Sequence, residues 1–112
     1  LNDNYQLLIL CWQQEQYSSI HNHGGRDCFM YVIEGSIQEN IYQLKQNNLI
    51  NCQKNIYTQG DNSYMLDSMG MHSIKCISNR AVTLHLYAKP IEEYHIFDLQ
   101  KNKLVCSQYV VN

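Results

Sequence analysis

The stretch Ser18-Ser19-Ile20-His21-Asn22-His23-Gly24-Gly25-Arg26-Asp27-Cys28-Phe29-Met30-Tyr31-Val32-Ile33-Glu34-Gly35 decides how this chain is read. It opens with two histidines one residue apart. On an extended backbone successive side chains alternate, so His21 and His23 fall on the same side of a sheet. Two neutral imidazoles on one rigid face can bind a metal cis to each other. Gly24-Gly25 then predicts a short loop. Cys28 and the apolar run Phe29 to Ile33 predict a second strand, closed into a hairpin by a turn at Glu34-Gly35-Ser36. An isolated His-x-His in a hairpin is more often a pair of ordinary histidines. A third histidine in the right place changes that balance.

At 112 residues the chain is expected to be a single domain, 1–112, able to bury a core at the small end of the range. It begins Leu1-Asn2-Asp3 without an initiator Met, which suggests an N-terminally truncated fragment. The net charge is −2 with acids and bases scattered, which argues against nucleic acid as the main partner. The apolar run from Leu7 to Trp12 is too short to cross a membrane and lacks a signal-peptide pattern. The five cysteines (Cys11, Cys28, Cys52, Cys76, Cys106) are an odd number, in a domain that can build a core without staples. Reduced thiols in a cytoplasmic protein are the simplest reading.

Along the chain the pattern predicts strands and turns in close succession. Residues 5–12 read as a buried strand, apolar on both faces, followed by a polar turn over 13–17 and the start of a strand over 18–23. Residues 37–44 alternate (Ile37, Glu39, Ile41 against Gln38, Asn40, Tyr42), as a half-exposed strand does. Residues 45–54 read as a polar excursion. Short strands follow at 56–60, 62–66 and 71–77, with a turn over 67–70, and then at 81–88, 94–98 and 104–111. No segment keeps a helical period. Short strands separated by turn signals indicate a small all-β barrel or sandwich.

The third histidine is His72, which opens a strand behind Gly70-Met71 about fifty residues after the pair. In an antiparallel barrel that separation returns the chain to the same wall. Three histidines would then face inward with no obvious carboxylate ligand. Over 81–88, Val82, Leu84 and Leu86 form an apolar face, while Thr83, His85 and Tyr87 form the other. Buried polar groups need partners, so this second face suggests a polar pocket. A solvent-exposed edge strand is the plainer alternative.

The spacing His21-x-His23, four residues, Cys28, six residues, Gly35 resembles the first cupin motif, with Cys where the general motif has Glu. That substitution, with Ser18-Ser19-Ile20-His21-Asn22-His23 and Asp27-Cys28-Phe29, is similar to the cysteine dioxygenase family. Further matches are Leu10-Cys11-Trp12, Asp67-Ser68-Met69-Gly70-Met71-His72, Leu84-His85-Leu86-Tyr87 and His95-Ile96-Phe97-Asp98, covering about 5–98 in the expected order.

The resemblance implies a small cupin barrel. His21, His23 and His72 match the ligands of a mononuclear iron(II). Cys28 and Tyr87 match the pair that forms a thioether crosslink beside the iron, with Tyr87 and His85 catalytic and Thr83 ordering the pocket. The implied reaction is oxidation of L-cysteine by dioxygen to cysteine sulfinate. Three neutral imidazoles leave the metal its full double charge, which favours a thiolate. The Tyr87 hydroxyl then acts at the reacting dioxygen, oriented by His85. The family's arginine for the substrate carboxylate lies upstream of Leu10-Cys11-Trp12, so that anchor is not assigned here. Arg26 and Arg80 match no motif position. Around Tyr87 the family often has Tyr-Ser-Pro-Pro, whereas this chain has Tyr87-Ala88-Lys89-Pro90. Another small thiol such as 3-mercaptopropionate, or a cupin that holds a metal or ligand without turnover, are the alternatives. A monomer with small-molecule partners is expected.

Overall fold

The computed structural model describes residues 5–66, 70–88 and 93–108. Among them are nine strands: β1 Gln6–Gln13, β2 Cys28–Glu34, β3 Ser36–Lys45, β4 Asn48–Thr58, β5 Asn62–Met65, β6 Met71–Cys76, β7 Arg80–Tyr87, β8 Glu93–Asp98 and β9 Lys103–Gln108. One sheet has the order β1-β7-β2-β5, a second β4-β3-β6, and β8 and β9 form a two-stranded ribbon. All pairings are antiparallel. The turn expected over 67–70 lies outside the described residues apart from Gly70, as do the ends of the strands expected over 104–111 and Lys89-Pro90.

The core lies between the two larger sheets. Trp12, Met30, Val32 and Ala81 from the first meet Ile37, Ile74 and Cys76 from the second. Burying one Val or Ile side chain is worth about 1.5–3 kcal/mol, so this layer is what holds the sheets face to face. Strand β2 is apolar at almost every position. The core nevertheless takes only Cys28, Met30 and Val32 and leaves Tyr31 and Ile33 exposed. Sheet geometry forces that choice, since neighbouring side chains must point to opposite faces.

Four local expectations need correction. Strand β2 does not form a hairpin with β3. Gly35, at φ 79°, carries the chain from one sheet across to the other, and a Cβ there would collide with the Arg80 carbonyl. The polar stretch 45–54 is mostly strand. Gln46 and Asn47 form a two-residue turn with φ of 52° and 66°, after which β4 runs back along β3. Positive φ at both central positions is the twist-matched hairpin turn, and it lacked its usual Asn-Gly signal. Strand β1 is not buried on both faces: Leu7 and Ile9 are exposed, and only Gln6 and Trp12 are buried. Residues 18–23 make single bridges, not a strand.

Strand β7 lies centrally, between β1 and β2, so it is not an exposed edge. Its buried positions are Ala81, Thr83, His85 and Tyr87, and the apolar Leu86 points outward.

Candidate metal centre

The His21–His23 segment is fixed although it is not a strand. On one side His21 and His72 exchange two backbone hydrogen bonds, His21 N to His72 O at 2.9 Å and His72 N to His21 O at 2.8 Å. On the other, Asn22 N donates to His95 O at 3.0 Å, and Phe97 N donates to Ile20 O at 2.8 Å. The Asn22 side chain accepts from His95 N at 2.8 Å. The segment is thereby held between β6 and β8. His95 serves here as an anchor through its backbone, a role its spacing did not reveal.

Gly70 sets the start of β6. Its φ is 119°, and a Cβ at this position would strike the Tyr42 carbonyl. Close passage of the chain beside β3 brings His72 opposite Ile41 in the ladder and opposite His21 in the isolated bridge.

These constraints bring His21, His23 and His72 together, with one nitrogen from each ring within 4.8 Å of the others. The ring centroids are 5.5 Å (His21–His23), 4.7 Å (His21–His72) and 4.5 Å (His23–His72) apart. Burial pushes all three imidazoles down from their ordinary range. His23 falls to about 2, with the charges of His72, His21 and His85 adding to the effect of burial. His72 lies well below the ordinary value, again from burial and then from His21 and His85. For His21, burial outweighs a hydrogen bond to Ser19. The rings are therefore neutral at pH 7, the form that offers a lone pair.

Their partners fix which nitrogen carries the proton. His21 Nδ1 lies 2.8 Å from the Ser19 carbonyl, which can only accept, so His21 Nε2 holds the lone pair. His72 Nδ1 lies 2.8 Å from Glu39 Oε2, so with the carboxylate accepting its Nε2 is likewise a lone pair. The contact also meets the geometry of an ion pair. Burial keeps the imidazole neutral, so it is a hydrogen bond from a neutral ring. The two Nε2 atoms face each other 3.2 Å apart. Two lone pairs cannot hydrogen-bond to one another, but they can share a cation. At a metal–nitrogen distance of about 2.1 Å, two ligands at right angles sit about 3 Å apart. The residues present fit a metal ion.

Glu39 was missed in the sequence as a partner of this site, which was expected to have no carboxylate nearby. It is 2% exposed. The signal was its place between Ile37 and Ile41 on the apolar face of β3. Its other oxygen, Oε1, accepts from Tyr57 Oη at 3.3 Å and Asn55 Nδ2 at 3.4 Å.

Cys28 and Tyr87 are directly opposite in the β2–β7 ladder, and both are buried. Burial pushes the Cys28 thiol up to about 12, with a hydrogen bond to Tyr87 pulling the other way. The Tyr87 ring lies 5.7 Å from that of His23. Along β7, Trp12 Nε1 donates to Thr83 Oγ1 at 2.9 Å, and Thr83 Oγ1 lies 2.7 Å from His85 Nε2. Because Thr83 accepts from the indole, its own hydrogen is available to His85. Trp12 was expected to be core, which it is, but it also orders this chain of hydrogen bonds. Burial, followed by the charge of His21, lowers His85 to about 4.

An open cavity of about 260 Å³ leads to the histidines, lined by Leu8, Leu10, Ser18, Ser19, His21, Asn22, His23, Tyr87 and Tyr94. That is below the usual size of a drug-binding pocket and suits a small molecule. Arg26 and Arg80 are not among its lining residues, and Arg80 pairs with Glu34 at the surface. The five cysteines are all free thiols. Among the described residues no helix is long and apolar enough to cross a membrane.

A family model described as cysteine dioxygenase type I matches residues 2–100. Cysteine dioxygenase type 1 of Bos taurus is 35% identical over 112 residues, covering 93% of this chain and 56% of that protein. The Homo sapiens protein of the same name is 33% identical over 111 residues, covering 92% and 56%. The chain thus spans about half the length of the curated relatives it matches. Among solved structures, KdgF from Halomonas sp. superposes with a TM-score of 0.66 at 13% identity, covering 80% of this chain and 72% of that one. A cupin superfamily protein from Desulfitobacterium hafniense gives 0.63 at 14% identity, also covering 80% and 72%. These structures share the fold: this is an all-β cupin. On the strength of the match across nearly its whole length, the chain belongs to the cysteine dioxygenase type I family.

Proposed function

We propose that this chain carries the active site of an iron(II)-dependent thiol dioxygenase that oxidises L-cysteine with dioxygen to cysteine sulfinate. The observation that carries the reading is one cavity wall on which His21, His23 and Tyr87 converge, with Cys28 opposite Tyr87 and His72 against His21. His21, His23 and His72 would hold the iron, which when bound supplies the centre where thiolate and dioxygen meet. Because the three ligands are neutral, an iron(II) held there would keep its positive charge, which would favour the substrate's thiolate over its thiol. Leu8 and Leu10 give the open cavity beside it an apolar side.

Tyr87 places a phenol at the same wall. A thioether bond between Cys28 Sγ and a Tyr87 ring carbon would replace one S–H and one ring C–H bond, with two protons and two electrons passing to dioxygen to give hydrogen peroxide. It would remove the ring's rotamer freedom and leave its hydroxyl preorganised. The Trp12–Thr83–His85 hydrogen bonds fix the neighbouring imidazole, so that His85 orients the Tyr87 hydroxyl as it gives or takes a proton. We place the protein in the cytoplasm, where its free thiols stay reduced, acting as a monomeric, single-domain unit.

The test is oxygen uptake by the iron(II)-loaded protein with L-cysteine, 3-mercaptopropionate and cysteamine side by side. Uptake with cysteine and formation of its sulfinate support the proposal. Uptake with 3-mercaptopropionate alone keeps the reaction and changes the substrate. Bound iron without uptake on any thiol refutes dioxygenase activity and leaves a binding cupin.

A further inference from the structure

Glu39 is a costly residue to find at this position. A carboxylate taken out of water loses its hydration, which only hydrogen bonds within the protein can replace. Its two oxygens face different neighbours. Oε2 meets His72 Nδ1 at 2.8 Å, while Oε1 meets the Tyr57 hydroxyl at 3.3 Å and the Asn55 amide nitrogen at 3.4 Å. Register explains the placement: Asn55 stands directly opposite Glu39 across β3 and β4, and His72 lies on β6 at the other side of β3.

We propose that Glu39 is the positioning residue of the metal centre, fixing His72 as the Nδ1–H tautomer so that Nε2 is presented as a ligand. We propose further that Tyr57 and Asn55 make this position select a carboxylate over an amide. The inference rests on the metal-site reading above. A neutral imidazole has one N–H. If it goes to Glu39, Nε2 is a lone pair aimed at the lone pair of His21 Nε2, and the site is held open for a cation. If it sits on Nε2, the two rings close an Nε2–H···Nε2 hydrogen bond over the same 3.2 Å and the site is shut. Only a group that accepts on both sides enforces the first state. A glutamine cannot do so while Tyr57 and Asn55 donate. Its oxygen turns to those two donors, its NH₂ turns to His72 Nδ1, and the ring is driven to the closed tautomer.

The carboxylate has a second effect. It sets a negative charge one imidazole away from the metal and makes His72 a stronger donor than it would be beside a neutral partner. The site then carries less positive charge than three plain histidines would give it.

The experiment compares wild-type protein, E39Q and the double variant E39Q/Y57F. Imidazole nitrogen chemical shifts in the metal-free proteins report the His72 tautomer, and anaerobic titration with Fe(II) gives the affinity. We expect His72 protonated on Nδ1 in wild type and on Nε2 in E39Q. Fe(II) affinity should fall in E39Q by about 100-fold, the upper end for outer partners of metal ligands. E39Q/Y57F, lacking one of the competing donors, should recover part of that loss, which a damaged fold would not do.

A wild-type His72 protonated on Nε2, or equal Fe(II) affinity in wild type and E39Q, overturns the role of Glu39. A double variant no tighter than E39Q removes Tyr57 from it. Wild-type protein that binds no Fe(II) overturns the metal reading itself, which is a separate failure. Should E39Q not fold, the wild-type nitrogen shifts alone decide the tautomer.

Discussion

His85 gives the most direct handle on the buried polar wall, through the pH dependence of stability. In the folded protein burial lowers its pKa from 6.5 to about 4. Below pH 6.5 the unfolded chain takes up a proton that the folded protein refuses. The unfolded state therefore binds more protons, and stability falls as the pH drops toward 4, with no effect above 6.5. The slope is about 1.4 kcal/mol per pH unit for one such group, so the window costs about 3 kcal/mol. That is a large part of the 5–15 kcal/mol typical of a domain. H85Q removes the titrating group. Urea unfolding of metal-free wild type and H85Q at several pH values between about 7 and 4 should give curves whose difference changes by about 3 kcal/mol. Carboxylates common to both proteins cancel in the comparison. Parallel curves would refute the claim that His85 is held neutral by burial.

Three further outcomes follow from particular contacts. G70A forces a Cβ into the Tyr42 carbonyl at φ 119°; it should lower stability by about 2 kcal/mol or more in urea unfolding and weaken Fe(II) binding through His72. Alkylation of the native protein before any exposure to iron should label Cys11, Cys52 and Cys106, which are exposed, and spare Cys28 and Cys76, which are buried. Mass spectrometry of digested peptides reads this directly. The double substitution Q46N/N47G supplies the residues that positive φ favours in the β3–β4 turn and should stabilise by about 0.5–1 kcal/mol, seen as a higher urea midpoint.

The sequence exposed those parts of the fold that follow from local rules. Alternation over 37–44 placed Ile37, Glu39 and Ile41 on one face, and they are buried together. Turn residues separated most strands correctly. Which strands pair is a long-range property, and local signals misread it: Gly35 looks like a hairpin turn yet carries the chain between sheets. Strand β4 has charged or amide side chains on both faces because both are largely exposed, so no period survives to mark it. Apolar residues on both faces of β1 suggested burial that only one face receives. At the site, imidazole spacing pointed to His21, His23 and His72. Glu39 escaped because its partner His72 is 33 positions away, and nothing local says that a charged residue on an apolar face has found one.

The reciprocal backbone bonds between His21 and His72 also bear on how the molecule comes together in time. They join residues 51 positions apart, and closing so long a loop costs entropy before any contact returns it. This junction therefore forms late, after hairpins such as β3–β4 have closed. An ion gripping the same two rings holds a joint that the folding transition state has not yet made. Its stabilisation belongs in the unfolding rate and leaves the folding rate nearly unchanged. In stopped-flow measurements metal should slow escape from the native state, so that a loaded molecule owes its persistence to a high barrier against opening.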